Sequence, residues 1–313
     1  MFLSVNVLNK KLLAARLTRA LKQFGVSQFI LFVYQPTDLP LLEYLKLCIS
    51  CYYVYDELAE MGLVPKGTKD VYLELDRKLT KSCDFVFASS EAQMRGRIGR
   101  NKNCVLMRNG VDYHLFAQAA DPSVPVAREL RDIPPPRVGY LGAVDWRIDV
   151  PLLFELCSFL GKKASVVLVG PIETSSALPP DSSRWPQNLY ALGRRRHRVL
   201  PSFLRGLDVC IIPFVLTPAS RAMYPQNVNE YLAAGKTLVA TALPELEIHK
   251  TVINIAATQA EFCALVDQAL RTQPSPAEVA LRQRVARENS WDARVAYLNG
   301  ILCDKEQELL SAR

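Results

Sequence analysis

The chain has 313 residues, half of them hydrophobic and 22% charged, with 38 Lys and Arg against 31 Asp and Glu for a formal charge of +7. That balance excludes a disordered chain, and the length exceeds one ordinary core, so two domains are expected. Residues 1–120 hold 16 basic and 11 acidic side chains, +5 of the total, a surplus that favours anionic ligands or an anionic membrane surface.

The first pattern is helical. Residues 9–24 set Leu13, Leu17, Ala20, Leu21 and Phe24 on one face and Lys11, Arg16, Arg19 and Lys22 on the other, with Asn9 as cap and Gly25 as stop. Such a basic amphipathic helix covers a sheet or lies on anionic lipid. A strand at 28–34, a helix at 40–48 and a strand at 52–55 follow. Next come a helix at 69–82, a strand at 85–88, a helix opened by Ser90 and Glu91, and a strand from Cys104 to Met107. Continuously apolar strands separated by helices imply parallel sheets covered on both faces, an α/β chain. Residues 117–136 turn to Ala, Pro and charge and read as a linker.

A second series begins at once, with strands at 137–141, 165–169, 188–192, 209–213, 237–240 and 252–255. Helices are expected at 149–161, 199–207 and 227–234, and from 258 to the end. The expected organisation is an acceptor-side domain at 1–120, a linker at 121–136, a ligand-binding domain at 137–290 and a C-terminal helix at 291–313 that packs back on the first domain. Two Rossmann-like parallel-sheet domains then face a cleft. No G-x-G-x-x-G stretch is present, and the first domain looks short of its first strand unless residues 2–7 supply a substitute.

The eight Cys stand mostly singly in apolar runs, which suits buried thiols in a reducing compartment; Cys48 and Cys51 form a CxxC pair with no second pair to complete a zinc site. The three His are dispersed, so no metal is expected. No apolar run reaches the length of a bilayer span, and the N-terminal charges follow the apolar stretch, the reverse of a secretory signal. A cytoplasmic protein is expected, with peripheral membrane contact through the basic N-terminal helix as a further option.

Ligands of open parallel sheets bind beyond the carboxyl ends of the strands. In the second series those ends carry Gly142, Gly170 and Gly193, where main chain can approach a ligand closely, and the stretch 214–229. Glu230, in the first turn of the helix at 227–234, offers two acceptor oxygens to a vicinal diol such as ribose. The amides of Gln226, Asn227, Val228 and Asn229 offer donors to a diphosphate. An acid in a first turn also stabilises its own helix, so the position has a plain structural reading too.

Several motifs, in this order, resemble retaining family-4 glycosyltransferases of GT-B fold, most of all bacterial members that build exopolysaccharide or teichuronic-acid-type glycans. They are Arg108-Asn-Gly-Val-Asp112, the Gly139-Tyr-Leu-Gly-Ala143 strand exit, Val167-Leu-Val-Gly-Pro171, Leu192-Gly193, Leu207-Asp-Val-Cys-Ile-Ile-Pro-Phe214, Asn229-Glu-Tyr-Leu-Ala-Ala-Gly-Lys236 and the Ser290-Trp291 region. The resemblance implies a nucleoside-diphosphate sugar as donor and a glycan or lipid-linked acceptor, with no metal and no other cofactor. It implies Glu230 on the donor ribose, with Gly142, Ala143, Gly170 and Gly193 near the nucleotide and Arg195 and His197 beside the base. Asp56, at an acidic strand exit, is the first candidate to touch the transferred sugar or the acceptor, and Arg147 is the cation beside the diphosphate.

The chain departs from that pattern at several places, among them Asn227, where related sequences often carry Lys. Ala222 stands where the first Glu of the family's Glu-x7-Glu motif belongs, and Ala143 and Ile148 stand where relatives carry a diphosphate-binding Arg and Lys. A catalytically silent nucleotide-sugar-binding subunit is therefore the alternative to an active transferase. An epimerase would need an acid and base pair for proton exchange, which the sequence does not offer. Nucleic-acid binding is not expected, because the Arg194–Arg198 run has no interleaved aromatics.

Overall fold

The computed structural model describes residues 2–62 and 64–311, with side chains from 5 to 308. Met1, Leu63, Ala312 and Arg313 fall inside predicted domain spans and lie outside the described residues. The chain forms two compact units, Met1–Arg108 with Arg221–Tyr224, and Asn109–Ser220 with Pro225–Arg313.

Unit 1 opens with α1, Phe2–Gln23. Asn9 therefore lies inside the helix rather than capping it, and residues 2–7 are helical rather than a strand. The reason is in the chain: neither Gly nor Pro occurs before Gly25, so nothing stops the helix from extending towards the N-terminus. Gly25 ends it at φ +68, where Val26 N–H bonds the Leu21 carbonyl at 2.9 Å.

Strands β1 (Ile30–Val33), β2 (Ile49–Val54), β3 (Phe85–Ala88) and β4 (Cys104–Leu106) pair in parallel in chain order, leaving β1 at an edge. Between them run α2 (Pro40–Tyr44), α3 (Lys69–Ser82) and α4 (Glu91–Arg95). Ser90 caps α4 by accepting from Gln93 N–H, as its sequence suggested. Val33, Tyr52, Val54, Leu79 and Val86 make the core. Strand β2 starts three residues earlier than expected, which takes in Cys51 of the CxxC pair and leaves half-buried Cys48 just before it: Cys51 is buried in the sheet, and burial next to Asp84 pushes its thiol up to about 12.

Above this core the guanidinium of Arg97 meets Glu57 at 2.7 Å and Asp76 at 3.0 Å, and the Tyr52 hydroxyl donates to Asp76 at 2.7 Å. Burial would penalise any one of these charges alone, so they hold each other at the carboxyl end of β2.

Unit 2 contains α5 (Tyr113–Ala117), β5 (Arg137–Leu141), α6 (Val150–Leu160), β6 (Ser165–Val169), β7 (Leu189–Ala191), α7 (Leu200–Arg205), β8 (Val209–Ile212) and α8 (Pro218–Arg221). It continues with α9 (Asn227–Ala233), β9 (Thr237–Thr241), β10 (Asn254–Ala256), α10 (Gln259–Arg271), α11 (Pro276–Glu288) and α12 (Trp291–Ser311). The terminal Arg221 of α8 is grouped with unit 1. All six strands are parallel, in the order β10-β9-β8-β5-β6-β7. The residues of β8 are fully buried, as a strand covered on both faces must be. Helices α5 and α8, five and four residues long, are too short to show a periodicity in sequence.

The start of unit 2 is tied to its last helices. Val111 N–H bonds the Asn289 carbonyl at 3.1 Å and Trp291 N–H bonds the Val111 carbonyl at 3.0 Å. A Cβ on Gly110 would stand 2.7 Å from the Trp291 ring, so only glycine lets the two segments lie this close.

Candidate donor site

After β5 the chain lays β6 and β7 on one side, then returns to place β8, β9 and β10 on the other, so strand order reverses between β5 and β8. Connections leave a reversal point in opposite directions, and the mouth they open at the carboxyl ends of the strands is where parallel sheets bind ligands. The exits of β5, β6 and β8 are laced together there. Gly142 N–H bonds the Val169 carbonyl at 3.0 Å and Val144 N–H bonds the Pro171 carbonyl at 2.9 Å. Asp149 N–H bonds Pro213 O and Val215 N–H bonds Arg147 O, each at 2.8 Å.

Helix α9 is fixed over the end of β5 by side chains. The Tyr231 hydroxyl accepts from Leu141 N–H at 2.8 Å and donates to Leu141 O at 3.2 Å, and Asn227 Nδ2 reaches the same carbonyl at 3.3 Å. The strand's last polar groups are thus satisfied by the helix that carries Glu230.

Glu230 itself is 9% exposed, and its carboxylate has no hydrogen-bond or ion-pair partner among the described residues. Burial alone raises its pKa to about 7. A carboxylate held this way destabilises the fold unless a ligand satisfies it, which makes it a candidate binding group. Its charge acts on the buried Tyr140 hydroxyl, which also feels Asp145 and Arg147 and donates to Ala143 O at 3.1 Å. Burial is the main reason that this phenol is held well above its ordinary range.

The structure therefore gathers Gly142, Ala143, Arg147, Asn227 and Glu230 around the end of β5, with Gly170 against Gly142. Arg147 is already engaged: Nη2 lies 2.6 Å from Asp145 Oδ2, Nε lies 2.9 Å from Asp145 Oδ1, and the guanidinium sits 5.4 Å over the Phe214 ring. Val228 and Asn229 amides bond the Pro225 and Gln226 carbonyls at 3.3 and 3.2 Å, and the Asn229 side chain donates to Asn109 O at 3.0 Å. Both residues are turned into the fold, which leaves exposed Gln226 and half-buried Asn227 of the four expected amides at the mouth.

Gly193, at φ +70, follows β7, the neighbour of β6. Beyond it, Arg195 Nε lies 3.2 Å from Glu129 and its guanidinium stacks over Phe203, while His197 sets its ring edge on Phe116 at 5.1 Å. Asp56 lies in unit 1, just past β2 and next to the Glu57 that Arg97 holds. Among the described residues no group of three His, Cys, Asp or Glu could hold a metal ion. No described helix is long and apolar enough to cross a membrane.

A cavity of about 670 Å³ lies at the opposite ends of the strands, beside Asp208, Lys236 and Thr237. It is not the mouth described above, and Lys236 there donates to the Leu207 carbonyl at 2.6 Å.

No family model matches the chain. A relative, TuaH of Bacillus subtilis strain 168, provisionally named a teichuronic acid biosynthesis glycosyltransferase, is 23% identical over 269 residues, 78% of this chain. The chain spans 66% of the length of TuaH. The α,α-trehalose 6-phosphate synthase of Burkholderia multivorans superposes with a TM-score of 0.71 at 16% identity, over 98% of this chain and 77% of that one. Anabaena HepE, solved in complex with UDP, gives 0.70 at 14% identity, over 93% and 82%. The fold is GT-B.

In this GT-B chain three supporting residues escape a reading of the sequence. Tyr140 and Tyr231 look like core aromatics, and the signal that marks them is a polar tip on a side chain expected at full burial, which must find a partner. Asp145 sits two residues before a predicted catalytic cation and holds it, a pairing that spacing alone does not reveal.

Proposed function

We propose that the protein is a glycosyltransferase that moves a sugar from a nucleoside-diphosphate sugar to a glycan or lipid-linked acceptor, with retention at the anomeric carbon and no metal. The observation that carries this reading is the Glu230 carboxylate, buried and unpartnered at the strand-reversal mouth of unit 2. Two acceptor oxygens there match the vicinal hydroxyls of ribose. Gly142 and Ala143, half-buried at the exit of β5, present main chain near it, where a diphosphate fits. The UDP bound in HepE, a protein of the same fold, supports this class of donor.

In the reaction the bond between the anomeric carbon and the diphosphate oxygen breaks, the acceptor hydroxyl oxygen bonds the anomeric carbon, and its proton leaves with the departing nucleoside diphosphate. Arg147, released from Asp145, meets the negative charge that develops on the departing diphosphate, the kind of electrostatic term that dominates such steps. Asp56 on unit 1 is assigned to the acceptor or the transferred sugar.

The test is a panel of UDP-, GDP- and dTDP-sugars followed by thermal shift and by release of nucleoside diphosphate. A donor that raises the unfolding midpoint of the parent chain but not of Glu230→Gln, together with diphosphate release, is the expected result. No shift with any donor would overturn it. Ala222, standing where an acid that meets the donor sugar is expected, favours one other reading, a silent nucleotide-sugar-binding subunit. That subunit would give the thermal shift without turnover on any acceptor.

A further inference from the structure

Helix α1 has two sides of different chemistry. Its inner line runs through Lys10, Ala14, Leu17 and Leu21. Ala14 is 2% exposed and, with Leu17, packs on Leu41 and Leu45 around α2 and on Phe29 and Leu31 at β1, while Lys10 pairs with Asp38. The outward line starts with Val5, Leu8 and Leu12, spaced by three and four residues and 52–57% exposed, and continues at the same spacing through Arg16 and Arg19. Lys11 and Lys22 flank it, and none of these four cations enters an ion pair among the described residues.

No acidic residue occurs before Asp38, so the outward side has a single sign of charge. The contrast with α3 in the same unit is direct. That helix exposes no large apolar side chain, and its charges meet opposite ones: Arg77 and Lys78 pair with Glu74, Lys69 with Glu60, and Asp76 with Arg97. A water-facing helix is built like α3. Protein interfaces favour Tyr and Trp and deplete Lys at their centres, and the outward line of α1 has neither aromatic while Lys11 and Lys22 border it. Exposed Leu beside unpaired Lys and Arg is the pattern of a helix lying in the plane of a lipid surface.

We propose that α1 rests on an anionic bilayer, with Leu8 and Leu12 entering the boundary between headgroups and acyl chains and Lys11, Arg16, Arg19 and Lys22 on the lipid anions. The proposal is independent of whether unit 2 transfers a sugar, and its test uses no donor. The full chain is sedimented with vesicles of phosphatidylcholine alone and of phosphatidylcholine mixed with phosphatidylglycerol. Binding to the mixed vesicles only, released at high salt, is expected.

Replacing the four cations by Gln lowers the partition coefficient by about fivefold for each charge removed. The pair Leu8→Ser and Leu12→Ser lowers it as well, although every charge remains, which simple ionic adsorption would not do. All these side chains are exposed, so the variants keep the parent's unfolding midpoint. Equal binding to both vesicle types, or to neither, overturns the proposal. So does a stable dimer in sedimentation equilibrium that Leu12→Ser dissociates, which would give the surface to a second copy.

Discussion

Gly170 lies directly against the main chain of Gly142: a Cβ placed on Gly170 would stand 1.9 Å from the Gly142 carbonyl oxygen. Any side chain there must push the exits of β5 and β6 apart. Gly170→Ala is expected to lose about 1–3 kcal/mol in urea unfolding, the usual range for an overpacked site. It should also abolish the donor-induced thermal shift, because the displaced segment forms the mouth beside Glu230. A variant as stable as the parent would show that the two exits separate freely.

The Glu230 carboxyl titrates at about 7 in the folded chain against an ordinary 4.5. Between those values the folded state holds the extra proton, so stability falls as pH rises and the loss is complete above about 7. Glu230→Gln removes that loss. At pH 8 it should be more stable than the parent by up to about 3 kcal/mol, and the gain should vanish near pH 4. Donor affinity runs the other way, weaker in the variant and rising through pH 7 in the parent as the carboxylate ionises. Chemical denaturation and titration calorimetry across this pH range read both signs.

The guanidinium of Arg147 lies against the Asp145 carboxylate and, on the proposed function, turns to the diphosphate when donor is bound. Arg147→Gln should weaken UDP binding by roughly tenfold or more, the scale of a charged hydrogen bond. Asp145→Asn, which loosens the present hold, should strengthen it. Calorimetry that returned one affinity for all three proteins would take Arg147 out of the diphosphate site.

In unit 1, Arg97 bridges Glu57 and Asp76, and its side chain is 8% exposed. Arg97→Met leaves two carboxylates facing each other in a poorly solvated place and should cost about 3 kcal/mol. The test is urea unfolding of this variant and of Arg97→Met combined with Glu57→Gln, which removes one of the two facing charges and should recover part of the deficit.

What sequence reading found and missed follows from the range of the forces involved. Helix α3 and strands β3, β5 and β6 lie where hydrophobic runs and breakers placed them, because those signals are local. The outer side of α1 was misread: Leu13 and Phe24 were expected inward and are 40% and 78% exposed, since the buried line is set by where α2 and β1 lie, not by the helix's own periodicity. At the mouth, Glu230 was legible as an acid at a helix start. The attachment of Arg147 to Asp145 and of Tyr231 to Leu141, across 90 residues, depends on tertiary geometry that no spacing encodes.

The clasp of Val111 with Asn289 and Trp291 brings the first segment of unit 2 beside the turn that leads into its last helix. Segments that neighbour each other in space can be spliced in a new order with little loss, because a short graft spans them. A rearranged gene for unit 2 that keeps Asn289 and Trp291, joins the chain just beyond them to residue 109 through a short graft, and opens at an exposed loop should therefore still yield a six-stranded sheet with its mouth intact.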